Sequence, residues 1–449
     1  MKGRRGFVLL LVIGGILAAT AQPRAETGNA GSARLRVAEV RQRVNENYAE
    51  LEALYKHLHT HPELSYQEEK TAARLAKEMR ELGFSVTEKV GGHGVVAILK
   101  NGGGPTVMVR TDLDALPLTE RTGVPYASKA RVRDAEGKEV GVMHACGHDV
   151  HMTCWVGTAR VLAGLKEQWQ GTLVFIGQPA EERGGGAKAM LDDGLFSRFP
   201  KPDFALALHC DSFAAHGTVG YTEGMALANV DSVDILVRGK GGHGSAPHTT
   251  IDPIVLAARI VIDLQTLVSR EIDPTDAAVV TVGSIHGGTK HNIIPSEVKL
   301  QLTVRTFKDA TRKHVLEGIE RIVKAAATSA RAPEPTVRVD PGEFTPAMHN
   351  DVELTRRTMA ALRTALGEQA VLAKPPVMGG EDFSRYGRAG VPICMFRIGT
   401  VPPERVRESE SGGRPLPSLH SDLFYPVPEP TIKTGVLAMT SAVLNLVGK

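Results

Sequence analysis

What the 449-residue chain lacks narrows its class first. Cysteine is rare. Cys146, Cys154, Cys210 and Cys394 fit no disulfide-framework spacing, which excludes a cysteine-stapled scaffold and leaves one pair among Cys154, Cys210 and Cys394 open. An excess of one charge is also missing: 53 Lys and Arg face 50 Asp and Glu. Three of the cations, Lys2, Arg4 and Arg5, lie in a segment that reads as removable, so the mature chain is about neutral. That balance offers nothing to a nucleic acid or an anionic membrane surface. Repeats and low-complexity tracts are absent too.

The removable segment is "MKGRRGFVLLLVIGGILAATAQ". Its basic start, apolar run and Ala19-Thr20-Ala21 form the pattern of a cleavable export signal over residues 1–21. The run Phe7–Ala19 has 13 residues, short of the roughly 20 that span a bilayer. The expectation is a periplasmic or secreted protein with no stable membrane insertion after cleavage. Arg4-Arg5-Gly6-Phe7 weakly resembles a twin-arginine signal.

What is present reads as two units. Residues from about Asn45 to Glu81 read helical, with Ala72, Leu75, Ala76, Met79 and Leu82 at helical spacing. Buried-strand patterns at Val95–Leu99, Val107–Val109, Leu173–Ile176 and Ala205–Leu208 surround a helical stretch, Val150–Leu165. This predicts an α/β domain, residues 32–221 and 341–449, with a mixed, largely parallel sheet flanked by helices. Between its halves, period-two strands and two helices run in the order strand, helix, strand, strand, helix, strand. That order predicts an inserted ferredoxin-like α+β unit over 222–340.

The chemistry concentrates in "MHACGHDVH", residues 143–151. Cys146 and His148 suit a zinc-like ion, but they also suit a cysteine nucleophile with a histidine base. Partners elsewhere favour metal. "GQPAEERGGG" places Glu181 and Glu182 after a buried strand, where open α/β sheets carry their sites. Asp112 and Asp114 follow the strand at Val107–Val109 in the same way, "FALALHC" ends a strand at His209, and "PSLHSDLF" offers His420. His243 sits in the glycine-rich "GKGGHGSAPH", Asn292 in "GGTKHNIIP", and Arg305 at the end of an alternating strand. Gly379 and Gly380 either offer backbone amides or make a tight turn.

The segments "RTDLDALPLTE", "MHACGHDVH", "GQPAEE", "GKGGHGSAPH", "GGTKHNIIP", "GGEDFS" and "LHSDLF" run in family order from Arg110 to Phe424. On them the chain resembles the M20 metallopeptidase family, in the amidohydrolase branch of aminoacylase-like, hippurate hydrolase-like and auxin-conjugate hydrolase-like enzymes. The resemblance implies two divalent metal ions per subunit, zinc or manganese, held by Cys146, His148, Glu182, His209 and His420. It implies Glu181 as general base, Asp114 as supporting acid, and His243 as donor to the oxyanion. Asn292, Arg305, Gly379 and Gly380 become candidate substrate readers, and His144 and His151 structural neighbours of the ligands. The implied activity is hydrolysis of N-acyl amino acids, by a homodimer that pairs through the inserted lid domain. Rival readings are a dipeptidase or carboxypeptidase with the same centre, a non-catalytic metal- or solute-binding protein, and a hydrolase using Cys146 as nucleophile. One departure is local: where the branch carries a W-P-G-x-P loop after the histidine, this chain has "CDSFAAHGTVG" after His209.

Overall fold

The computed structural model describes residues 26–134 and 137–449, with the backbone alone for 26–35, so the expected export signal lies outside the described residues. The chain opens with helices α1 (Glu26–Thr60) and α2 (Glu69–Glu81). These are two helices where the sequence pattern suggests a continuous stretch. Pro62 lies in the break, and a proline disfavours helical backbone at the residue before it. Strands β1 (Ser85–Val90), β2 (Gly94–Asn101) and β3 (Thr106–Asp112) follow, then α3 (His148–Gly164), β4 (Gly171–Gln178), β5 (Phe204–Ala215) and β6 (Val219–Tyr221). The small unit comes next: β7 (Asn229–Arg238), α4 (Pro253–Thr266), β8 (Ala278–His286), β9 (Glu297–Thr306), α5 (Asp309–Ser329) and β10 (Thr336–Val339). The chain then returns through α6 (Val352–Leu366), β11 (Val371–Ala373), β12 (Ile393–Val401) and α7 (Pro428–Val447).

The large sheet has eight strands in the order β1-β2-β4-β3-β5-β12-β6-β11. Its centre, β4-β3-β5-β12, is parallel, while β1, β2 and the β12–β6 contact are antiparallel. Central strands are largely apolar until their site-bearing ends because both faces are covered. On one face α1, α3 and α7 bury Leu51, Trp155, Phe175 and Val436; on the other, Met108, Ile176, Phe383 and Met395 form a second core. Trp155 fixes α3 to the sheet by donating Nε1–H to the Val109 carbonyl at 3.1 Å. Helix α7 is apolar and long enough to cross a membrane, yet it is mostly buried inside the protein.

The small unit is a four-stranded antiparallel sheet in the order β8-β9-β7-β10, the ferredoxin-like arrangement. Every second residue of β7 is buried, and Val233, Ile235 and Val237 pack with Leu256, Ile260, Val315 and Ile319 of α4 and α5. Asp252 starts α4 by accepting from the backbone N–H groups of Ile254 and Val255, with Pro253 at the first helical position. The two connections to the large domain run side by side, Gly224–Leu227 pairing antiparallel with Met348–Asn350.

One strand is longer than its sequence pattern suggests. β5 does not stop at His209 but continues to Ala215, pairing with β12 as far as Val401. "CDSFAA" carries no proline to end the strand, and the ladder continues past Asp211 through a register shift between Gly399 and Val401.

Close helix–sheet packing depends on Gly435 in α7, where an added Cβ would press on Cys154 Sγ and the Ile398 side chain. Gly435→Val should destabilise the protein by at least about 1–3 kcal/mol through overpacking, read as a lower urea midpoint. An unchanged midpoint would show that this interface relaxes freely.

Candidate metal centre

The site forms where the parallel strands end, and each ligand-type side chain arrives by a different local device. Gly147 lets the chain turn from Cys146 into α3. Its φ is +84°, and a Cβ there would stand 2.8 Å from Cys210 Sγ, so only glycine fits. His148 is then the first residue of α3. After β4 the chain bends at Ala180, a non-glycine residue at φ +49°, to present Glu181 and Glu182. The Ala180 N–H is held by Glu68 Oε1 at 2.8 Å. His209 projects from within β5. His420, at φ +64°, comes from the C-terminal loop, tied to the Cys146 loop by its N–H on the Ala145 carbonyl at 2.9 Å.

These side chains converge. Ligand atoms of Cys146, His148 and His209 lie within 4.8 Å of one another, and so do those of Cys146, Glu182 and His420. The five expected ligands thus fall into two candidate groups that share the Cys146 sulfur and that could hold divalent cations. Hydrogen bonds set the imidazoles for that role. His148 Nδ1–H donates to the Asp114 carbonyl at 2.7 Å, and His209 Nδ1–H to the Cys210 carbonyl at 2.8 Å, so each offers the lone pair of Nε2. His148 Nε2 and Glu182 Oε1 are buried without any hydrogen-bond partner. Such orphans are costly unless something binds them, and the thiolate, imidazole and carboxylate donors suit a divalent cation. All four cysteines are free, so no disulfide competes for Cys146.

Charge supports the same reading. Burial pushes the Cys146 thiol well above its ordinary value, with Glu182 and Glu181 adding to the effect. Burial also raises Glu182 to about 7. Glu181 rises well above the carboxylate range through burial, Glu381 and Glu182. Burial disfavours a charge on His148, but Asp112 and Asp114 outweigh it and lift the imidazole to about 10. The centre's own groups therefore hold protons that a cation would displace.

A layer of buried polar groups lies beneath. Asp114 Oδ2 accepts from Ser65 Oγ at 2.6 Å and from the Glu182 N–H at 3.0 Å. Asp112 Oδ1 accepts from His151 Nδ1–H at 2.8 Å, while His151 Nε2 accepts from the Cys210 N–H at 2.8 Å. His151 is thus wedged between two strands. His144 is buried and outside the cavity, pushed down to about 4 by burial. Under the carboxylates sits Arg110, fully buried, donating to Asp112 at 2.7 Å, Glu381 at 2.9 Å, Asp382 at 3.1 Å and Gln178 at 3.1 Å. Sequence reasoning quotes Arg110, Glu381 and Asp382 only as motif letters and misses their pairing. The signal was an arginine opening one motif and two acids inside another.

A cavity of about 650 Å³ opens over the centre. Cys146, Glu181, Glu182, His209 and His420 line it, and so do Arg305, Gly379 and Gly380. His243 and Asn292 do not. They sit together in a two-stranded ribbon of the small unit, Gly242–His243 against Ile293–Ile294, joined by the Gly244 N–H on the Asn292 carbonyl at 2.8 Å.

Comparison with known proteins agrees with this geometry. The family model for peptidases M20/M25/M40 matches residues 108–410. The chain belongs to the M20 family. Hippurate hydrolase of Campylobacter jejuni is 37% identical over 339 residues, 75% of this chain and 85% of the relative. Thermostable carboxypeptidase 2 of Saccharolobus solfataricus is 36% identical over 385 residues, 85% and 91% of the two chains. Among solved structures, the Bacillus subtilis YXEP protein, described as a dinuclear metal binding peptidase, superposes with a TM-score of 0.71 at 29% identity, covering 89% of this chain and 99% of its own. This M20 protein is accordingly a hydrolase with the family's mixed α/β fold.

Because Cys146 and His148 must lose protons to bind a cation, metal affinity should rise with pH between about 6 and 9. Calorimetry at pH 7 in buffers of different ionisation heats should register proton release on metal binding. A heat independent of buffer would contradict the protonation states given above.

Proposed function

We propose that the protein is an exported, dinuclear amidohydrolase that cleaves N-acyl amino acids of the N-acetyl or N-benzoyl type. The observation that carries the reading is the pair of triads sharing Cys146, with Glu181 beside them on the cavity wall. Two zinc or manganese ions held by Cys146, His148, Glu182, His209 and His420 would supply water of lowered pKa and a polarised amide carbonyl. Glu181 takes a proton from the attacking water and returns it to the leaving nitrogen. Its raised pKa suits a group that must hold a proton between those two events. Asp114 positions His148 and the Glu182 backbone rather than touching substrate. Arg305 has no ion pair among the described residues and reaches the cavity beside Gly380, which suits it to the substrate's α-carboxylate.

Export is supported by the N-terminal sequence pattern. The hydrolysis of N-acyl amino acids is supported by likeness to a hippurate hydrolase, and a carboxypeptidase activity at the same centre is favoured by the second relative. A panel of N-acetyl, N-benzoyl and dipeptide substrates on metal-reconstituted protein separates the two. N-acyl amino acids should be hydrolysed, their α-amides should be poor substrates, and Glu181→Gln should cut kcat by about 10²–10⁴ while retaining metal. Near wild-type kcat in Glu181→Gln would remove the proton role assigned to it.

His243 supports a further element of the reading. An oxyanion donor must come within about 3 Å of the developing charge, yet His243 does not line its own chain's cavity. We infer a homodimer joined through the small unit, in which His243 and Asn292 serve the partner's centre. Mixing inactive Glu181→Gln and His243→Ala proteins under subunit exchange should restore activity, because one site of each heterodimer then carries neither defect. Demonstrated exchange without recovered activity would place His243 in its own chain's site or outside catalysis.

A further inference from the structure

Arg397 of β12 is in parallel register with His209 of β5. Residues so paired share a face of the sheet on strands about 5 Å apart. Both line the catalytic cavity. Burial weakens the charged form of Arg397, with Asp211 and Glu381 opposing that effect from a distance. Among the described residues no hydrogen bond reaches its guanidinium and no carboxylate lies within 4.0 Å. The nearby acids have other partners: Glu381 accepts from Arg110 and from the Phe383 N–H, and Asp211 accepts from the Phe213 N–H. The apolar side chains Phe213, Met395 and Leu419 line the same cavity.

A largely desolvated guanidinium without a counter-ion is costly, and its planar fork matches a carboxylate in two parallel hydrogen bonds. The cost is explained if the counter-ion arrives with the substrate. Arg305, beside Gly380, is a second guanidinium lining the same cavity, already proposed for the α-carboxylate. The wall around Arg397 is also where this chain departs from the branch pattern, since the prolonged β5 brings Asp211, Ser212 and Phe213 to the cavity.

We propose that Arg397 is a specificity residue that binds a second carboxylate, so that the preferred substrates are N-acyl amino acids carrying two. This rests on the N-acyl amino acid reading above. The second carboxylate belongs either to the acyl group or to the amino-acid side chain, and both present the same chemistry to the guanidinium.

Calorimetry on metal-reconstituted Glu181→Gln protein tests this with two isosteric pairs. N-acetylglutamate against N-acetylglutamine probes the side-chain position; N-succinylalanine against N-succinamoylalanine probes the acyl position. In one pair the carboxylate member should bind about 10- to 100-fold more tightly, and that pair locates the second anion. Adding Arg397→Gln should bring the ratio towards one, and Arg397→Lys, which keeps charge but loses the fork, should give an intermediate ratio. Equal affinities in both pairs overturn the proposal, as does a preference undiminished by Arg397→Gln. Circular dichroism checks folding; if Arg397→Gln is unfolded, Arg397→Lys decides, and an unchanged ratio there overturns the proposal. Should the Glu181-intact protein hydrolyse none of the four compounds while the binding preference persists and depends on Arg397, the amide-hydrolase reading fails and the carboxylate site stands.

Discussion

Concentrated buried negative charge is the constraint on which the rest of the site depends. Asp112, Asp114, Cys146, Glu181, Glu182, Glu381 and Asp382 crowd one end of the large sheet, with Arg110 and the His148 imidazole as cations buried among them. The guanidinium holds Asp112, Glu381 and Asp382 by direct contact, while burial still raises the thiol and the glutamates above. Isolated buried charges are expensive, so those groups either stay protonated or meet a cation. The chain provides both conditions: donors clustered to share ions, and an arginine that keeps the layer below rigid.

Rigidity below and openness above are linked through short connections. The Asp114 carbonyl orients His148, its carboxylate fixes the Glu182 backbone, and the Cys210 backbone orients both His209 and His151. The His148 ring and the Glu182 backbone are thus held from another strand end, and the His209 ring by its own strand. Second partners of this kind fix tautomer and direction before any ion arrives.

Much of this was legible in the sequence, and the reason is local. Cys146, His148, Glu181, Glu182 and Asp114 lie in short motifs beside strand patterns, so residue type and strand position single them out as candidates, and the family resemblance implies their roles. The parallel core and the ferredoxin-like unit were equally legible, because apolar runs and period-two strands report burial on two faces or one. What stayed hidden depends on pairing at a distance. Arg110 meets Glu381 across 271 positions, which no spacing rule can register. The extension of β5 depends on β12 lying beside it, the break before α2 on Pro62 overriding a helical pattern, and the position of His243 on how two domains face each other.

The placement of His420 has a consequence for how the molecule is made. This ligand follows the whole ferredoxin-like unit and most of the large domain in the chain, yet it must meet Cys146, whose neighbour Ala145 holds its backbone. Contacts so remote in sequence carry a loop-closure cost and form late. A growing polypeptide therefore lacks one member of the second triad until the segment carrying His420 emerges. Convergence of Cys146, Glu182 and His420 then reports that the chain has folded through the loop carrying His420.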